Sequence, residues 1–127
     1  MNTIVNPDEL APPAAKYAHA VVTTGPTRWL HTSGVVPIRP DGTVPESIDE
    51  QAAAVWHNLG AILEAAAMPV ASVVSASTYV VAGVELAPVM AERDRFMDGH
   101  LAASTLVTVP ALVRPEWLLE VSLVAAR

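Results

Sequence analysis

Residues 47–67 read SIDEQAAAVWHNLGAILEAAA, and this stretch carries the strongest structural pattern in the chain. Ser47 and Glu50 have the spacing of a capping box, in which each side chain satisfies a backbone N–H at the start of a helix. Pro69 disfavours continuation of a helix much beyond Ala67. Apolar residues recur at three- and four-residue spacing between these limits, as on one buried helical face: Ile48, Ala52, Val55, Leu59, Ile62 and Ala66. We therefore predict an amphipathic helix here.

The segments on either side of this helix have strand character. Upstream, residues 19–24 and 29–33 flank the turn sequence Gly25-Pro26-Thr27 and predict a β-hairpin, which follows an irregular arm at residues 1–15. Downstream, the patterns predict a strand at 73–81, a helix from Pro88 to Gly99, and strands at 105–109 and 118–125. This order indicates a single α+β domain over residues 1–127, with a mixed sheet and both helices on one face.

Composition excludes several classes of protein. The 127 residues include no cysteine, so disulfide frameworks and thiol nucleophiles are impossible. A net charge of −6 opposes binding to nucleic acid or to anionic lipid. The uncharged stretch between Glu64 and Glu85 contains Pro69 and Gly83, and we interpret it as a helix end followed by a buried strand, not as a membrane span. No signal peptide is evident in residues 1–10, and we expect a cytoplasmic protein.

The balance of charged and apolar residues predicts an oligomer. Hydrophobic residues make up 52% of the chain and charged residues only 16%, against roughly 25% charged residues in typical soluble domains. If both helices cover one face of the sheet, the other face needs a different cover. The same surface of a second copy is the simplest one.

Glu120 is the most informative single residue. It interrupts the final strand, where Leu119, Val121 and Leu123 share one face and Glu120 and Ser122 share the other. One interpretation is a solvated residue on the outer sheet face. The other is a carboxylate in a cleft between subunits, where it could move protons to or from water.

Other candidate chemistry is weak. The four histidines lack metal-ligand spacing, so we expect no metal site, and no nucleophile elbow or phosphate-binding glycine loop is present. Arg93 and Arg95 alternate with acidic residues, which indicates an ordinary mixed-charge helix face. Three tryptophans, Trp29, Trp56 and Trp117, fit core or interface positions, and a stacking role in ligand binding is the alternative.

Several motifs together resemble the Rid family (YjgF, reactive intermediate deaminases). They run in order from about Lys16 to Ala125: Tyr17, HTSGVVP at 31–37, PDGTVP at 40–45, Glu50-Gln51, NLGAILEAA at 58–66, Ser104-Thr105, LVRPE at 112–116 and Leu119-Glu120-Val121. The resemblance implies a chorismate-mutase-like α+β fold, a homotrimer and small-molecule sites in clefts between subunits. Family members hydrolyse reactive enamines and imines to 2-keto acids and ammonia without a cofactor.

The resemblance also implies site residues. Glu120 takes the position of the family glutamate that handles water, and Tyr17, Ser33 and Thr105 fall on substrate-binding positions. We add Trp117 as a candidate substrate contact. Two positions depart from the family: Ala103 stands where an arginine grips the substrate carboxylate, and Met90 stands where many members have asparagine.

These departures leave two hypotheses for function. The first is a Rid-like hydrolase or deaminase that acts on small substrates other than typical 2-imino acids, because the alanine at position 103 cannot bind a carboxylate. The second is a non-catalytic trimer that binds a metabolite or a partner protein. Nucleic acid and membranes are not expected partners in either case.

Overall fold

The computed structural model describes residues 1–127 as two helices packed on one four-stranded sheet, with a smaller two-stranded sheet beside it. The main sheet has the order β3-β6-β4-β5, in which β4 and β5 are parallel and the other pairs are antiparallel. The small sheet pairs β1 with β2. The elements are β1 (Asn2–Val5), β2 (Ala20–Thr23), β3 (Trp29–His31), α1 (Ile48–Ala65), a 3₁₀ turn (Val70–Ser72), β4 (Val73–Val81), α2 (Leu86–Met97), β5 (Ala103–Val109) and β6 (Leu119–Ala126).

Helix α1 begins as its sequence predicts. The Ser47 hydroxyl accepts a hydrogen bond from the backbone N–H of Glu50 at 3.2 Å. The Glu50 carboxylate does not complete the capping box, because it lies 3.5 Å from the Arg39 guanidinium instead. Farther along the helix, a side chain at Gly60 would lie 3.3 Å from the ring of Phe96, so this glycine allows α1 and α2 to pack closely.

A hydrophobic core fills the space between the helices and one face of the main sheet. Alternate residues of β6 point into it and are almost completely buried, which confirms the predicted inward face of that strand. Both helices contribute to the same core, so they pack on the same side of the sheet. The central core residues are Val55, Leu59, Val80, Val89, Leu119, Val121, Leu123 and Ala125.

The buried Gln51 anchors the start of β6 to α1. Its amide nitrogen donates to the carbonyl oxygens of Pro45 and Glu116 at 2.8 and 2.7 Å, and its carbonyl accepts from the N–H of Leu118 at 2.8 Å. One side chain thus satisfies three backbone groups from two loops. The position of Glu120, two residues after Leu118, depends on this anchor.

The predicted hairpin is wrong, and the irregular N-terminal arm is wrong in part: Asn2–Val5 form β1, whereas residues 6–15 contain no helix or strand. Strand β2 pairs with β1, with Val22 opposite Thr3, whereas β3 pairs with β6, with His31 opposite Val124. The N–H groups of Thr27 and Arg28 donate to the Arg127 carbonyl, which directs β3 along the C-terminal strand. A turn sequence between two strands does not by itself select their pairing partners.

The remaining boundaries lie close to their predicted positions. Helix α2 begins at Leu86, two residues before Pro88, and ends with Asp98 and Gly99 both in left-handed conformations. Strand β4 has its predicted range, and β5 begins two residues earlier than predicted. Neither helix combines the length and the apolar character needed to span a bilayer.

Candidate active site

The sheet face opposite the helices is uncovered in the single chain. We call it the open face; it carries the side chains of β4, β5 and β6 that alternate with the core residues. Large apolar side chains are exposed around it: Trp29 is 52% exposed, Val107 41% and Tyr79 39%. Register places Tyr79 between Glu120 of β6 and Val107 of β5. The predicted site glutamate therefore lies on an accessible surface that combines exposed apolar side chains with hydroxyl groups such as those of Ser77 and Ser122.

The Glu120 side chain packs directly against Gly34 on this face. After β3, the chain continues along the outer edge of β6, where Val35 and Val121 exchange backbone hydrogen bonds of 2.7 and 3.0 Å. A methyl group at Gly34 would lie 2.6 Å from the carboxyl carbon of Glu120 and would overlap one of its oxygens. The glycine of the Thr-Ser-Gly motif therefore makes the space in which the Glu120 side chain lies.

Thr32 holds this motif in place. Its backbone N–H donates to the carbonyl of Leu123 at 3.0 Å, and its hydroxyl accepts from the Leu123 N–H at 2.9 Å. The hydroxyl also donates to the Ser33 carbonyl at 2.7 Å. The Thr32 hydroxyl thus replaces a backbone acceptor at the point where the pairing with β6 becomes irregular. The next residue, Ser33, is exposed beside Gly34.

A second region, the β5 cleft, lies between the start of β5, helix α2 and the segment before β2. It has a volume of about 450 Å³. The Ala18 N–H donates to the Ala102 carbonyl at 3.0 Å, and this contact brings the neighbouring Tyr17 to the edge of the sheet. The cleft is lined by Ala15, Tyr17, Met90, Arg93, Ser104, Thr105 and Leu106.

Arg93 is the lining residue that sequence reasoning missed. The expectation of an exposed mixed-charge face holds for Arg95, whose side chain is 73% exposed, but it is wrong for Arg93, which is only 6% exposed. A signal was present in the sequence: Arg93 is four residues from both Val89 and Met97, which lie on the buried face of α2. Ala15, Ser104 and Leu106 also line the cleft without having been predicted as site residues.

The structure divides the predicted site residues into groups. Tyr17, Met90 and Thr105 line the β5 cleft together, while Ser33 lies beside Gly34 and Glu120. The two regions are separated by strand β4. From strand spacing and register, Glu120 and Thr105 are about 12 Å apart at their Cα atoms.

The other two candidates lie outside the cleft lining. Ala103 opens β5 opposite Ser75, next to the cleft. Trp117 lies in the loop before β6, with the Arg114 guanidinium 5.7 Å from its ring centre. Its indole N–H is buried without a hydrogen-bond partner.

The two regions offer different chemistry. The Gly34–Glu120 region presents a carboxylate, which can accept and return a proton. The β5 cleft presents hydroxyl groups and one guanidinium, which are hydrogen-bond donors for a polar ligand. No three histidine, aspartate or glutamate side chains are grouped as metal ligands.

Comparisons with known proteins find matches that cover nearly the whole chain. The family model described as Endoribonuclease L-PSP matches residues 8–127. The Rid-family protein YyfB from Yersinia pestis, of unknown function, is 30% identical, with 99% of this chain and 98% of that chain covered and a TM-score of 0.89. The YjgF gene product of E. coli is 26% identical, with 98% of each chain covered and a TM-score of 0.72. Yeast Mmf1 is also 26% identical, with coverages of 100% and 99% and a TM-score of 0.72. Comparison with curated proteins gave no match.

Proposed function

The chain belongs to the Rid family, whose family model is described as Endoribonuclease L-PSP, and from this premise we propose that it hydrolyses a small imine or enamine to a carbonyl compound and ammonia. The observation that carries the proposal is the Glu120 carboxylate, which lies over Gly34 on the open face. The Glu120 side chain is only partly exposed there, and a partly desolvated carboxylate within reach of a ligand is a suitable proton-transfer group.

Glu120 acts in this proposal as the general base and then as the general acid. Its carboxylate accepts a proton from a water molecule as the water oxygen attacks the carbon of the C=N bond. The protonated side chain returns that proton to the nitrogen, which gives a carbinolamine. Glu120 then accepts the hydroxyl proton and delivers it to the amino nitrogen as the C–N bond breaks, so that a carbonyl compound and ammonia leave. One positioned carboxylate serves every proton transfer.

In this proposal, β5 does not bind the substrate through a carboxylate, as it would bind a typical 2-imino acid. The Ala103 methyl group offers no donor, whereas a carboxylate contact from this strand would require a charged, two-pronged side chain. Substrate selection therefore falls to the residues that line the β5 cleft.

We do not extend the ribonuclease activity of the family description to this chain. A net charge of −6 repels the phosphate backbone of RNA, and counterion release cannot drive binding to an acidic protein. A small molecule in the β5 cleft is the ligand that we propose.

We also propose that the active species is a homotrimer with the open face at its interfaces. The support is the adjacent pair Tyr79 and Val107, both exposed on the open face, since an exposed apolar patch often marks a protein–protein interface. A neighbouring copy that covers the open face would exclude water around Glu120. The same contact would bring Glu120 nearer to a β5 cleft.

The trimer is expected to be stable in solution at micromolar concentration. Light scattering should give a mass near three times the 13.3 kDa of one chain. Val107→Lys should dissociate the assembly because it places a charge on the open face, whereas Val113→Lys, in an exposed loop, should not. A wild-type monomer would contradict the interface and the proposed enclosure of Glu120.

Hydrolysis is expected to be measurable with imines generated in place. An amino-acid oxidase supplies 2-imino acids from alanine, leucine and phenylalanine, and an amine oxidase supplies imines without a carboxylate from simple primary amines. The release of ammonia is followed with and without the protein. At least one imine should be hydrolysed about tenfold faster than in buffer, a modest fraction of what a positioned acid–base group can supply. If no imine of the series is hydrolysed faster, the hydrolase proposal is wrong.

A further inference from the structure

We infer that Arg93 of α2 is an anion-binding residue of the β5 cleft, where it holds the carboxylate of a small organic acid. The inference deepens the proposed function by naming its substrate class. Hydrolysis after binding depends on the proposed function. Binding of the acid is inferred from the residues of the cleft alone.

Arg93 is buried without enough partners. An arginine side chain has five N–H donors, yet only Nε donates a hydrogen bond, to Oδ1 of Asp94 at 3.1 Å. Nη2 lies 3.0 Å from the same oxygen without the geometry of a hydrogen bond, and it is buried with no other acceptor. The Arg93 side chain is 7% exposed, so water satisfies little of this deficit. A buried guanidinium in this state is costly unless a ligand completes it.

The Asp94 contact leaves the Nη1 nitrogen of the guanidinium free. Asp94 occupies the edge formed by Nε and Nη2 with a single oxygen. Nη2 is completely buried and cannot reach a ligand, whereas Nη1 has no acceptor from the chain and is not completely buried. Nη1 therefore suits a second carboxylate, which would accept a charge-assisted hydrogen bond from it. Asp94 is itself 25% exposed, and its charge is therefore partly screened by solvent.

The rest of the cleft fits a small acid. Arg93 is the only charged residue in the lining. Ser104, Thr105 and Tyr17 bring hydroxyl groups, and Met90 and Leu106 bring apolar surface for a short side chain. A volume of about 450 Å³ lies within the range of small-molecule sites. Because Ala103 supplies no charge, the anion would be held from helix α2 and not from strand β5.

Arg95, on the same helix, has hydrogen-bond acceptors for its guanidinium and provides a comparison. Its Nη2 contacts both carboxylate oxygens of Glu92, at 2.7 and 2.6 Å, and its side chain is 73% exposed. Arg95→Gln is therefore a matched control for Arg93→Gln. Both variants lose one positive charge from α2, but only the second removes a group from the β5 cleft.

The test measures equilibrium binding of 2-oxobutanoate, a stable 2-keto acid, by calorimetry, with the uncharged amide of the same acid as a second probe. Wild type and Arg95→Gln should bind the acid equally and more tightly than the amide. Arg93→Gln should bind the acid at least about tenfold more weakly, as expected for loss of a buried charge-assisted contact. Equal affinity in wild type and Arg93→Gln, or no binding of the acid to wild type, would overturn the inference.

A second pair of variants keeps the test valid if Arg93→Gln does not fold. Asp94→Asn removes the competing carboxylate and should tighten binding of 2-oxobutanoate several-fold, whereas Glu92→Gln should leave it unchanged. Equal effects of these two variants would show that only net charge matters and would overturn the inference. Binding that depends on Arg93 without hydrolysis of any imine would contradict the proposed reaction and leave the anion site intact.

Discussion

Replacement of Glu120 by glutamine is expected to lower the rate of imine hydrolysis by about 10²-fold or more, because the amide cannot accept a proton from water. Gln has nearly the shape of Glu, so the side chain should still fit over Gly34. The fold and the assembly should therefore remain. Steady-state ammonia release by wild type and variant, at the same concentration of imine, measures the effect.

Glu116→Gln is the matched control for this experiment. Glu116 is an exposed carboxylate in the loop just before β6, and its side chain contributes to neither region of the site. The control should retain wild-type rates. A Glu120→Gln protein with wild-type turnover would show that the carboxylate is not the acid–base group. A variant that no longer assembles would instead show that Glu120 is an interface residue, and its proposed catalytic role would then be wrong.

Replacement of Gly34 by alanine is expected to reduce hydrolysis by about tenfold or more with little loss of stability, since small displacements of a catalytic group have large effects on rate. The added methyl group would lie 2.6 Å from the carboxyl carbon of Glu120 and 3.0 Å from its Cγ. The side chain of Glu120 must therefore rotate away. Gly34 is not among the residues with positive φ, so alanine introduces no backbone strain. Turnover and urea unfolding of the same preparation separate the two effects.

The double variant gives the sharper form of this test. If Gly34→Ala acts only through Glu120, it should cause no further loss in a Glu120→Gln background. Gly60→Ala is the control, because its methyl group would approach Phe96 at 3.3 Å in the helical layer, far from Glu120. Additive losses in the double variant would mean that Gly34 acts by another route.

Local sequence patterns were sufficient for much of the fold. The Ser47 cap and the spacing of apolar residues predicted α1, and alternation predicted both β4 and the two faces of β6. These features depend on interactions between residues close in sequence or on the period of a single element. For the same reason, Glu120 could be placed on the face opposite the core before the structure was considered.

Long-range pairing was not predictable in the same way. The hairpin failed because β2 and β3 have strand patterns that fit any antiparallel partner, and register with β1 and β6 is decided by contacts across the chain. The contact of Gly34 with Glu120 joins residues far apart in sequence, and no local pattern indicates it.

Local patterns were enough to establish the helices, the strand alternation and the identity of the groups available for chemistry, including the alanine at position 103. Which of those groups come into contact depends on tertiary packing. Arg93 illustrates the difference: its acidic neighbours suggested a solvated helix face, and packing of α2 against the sheet instead buried its guanidinium beside Tyr17 and Thr105. Charge pattern describes what surrounds a residue along the chain, whereas burial depends on which helix face the core selects.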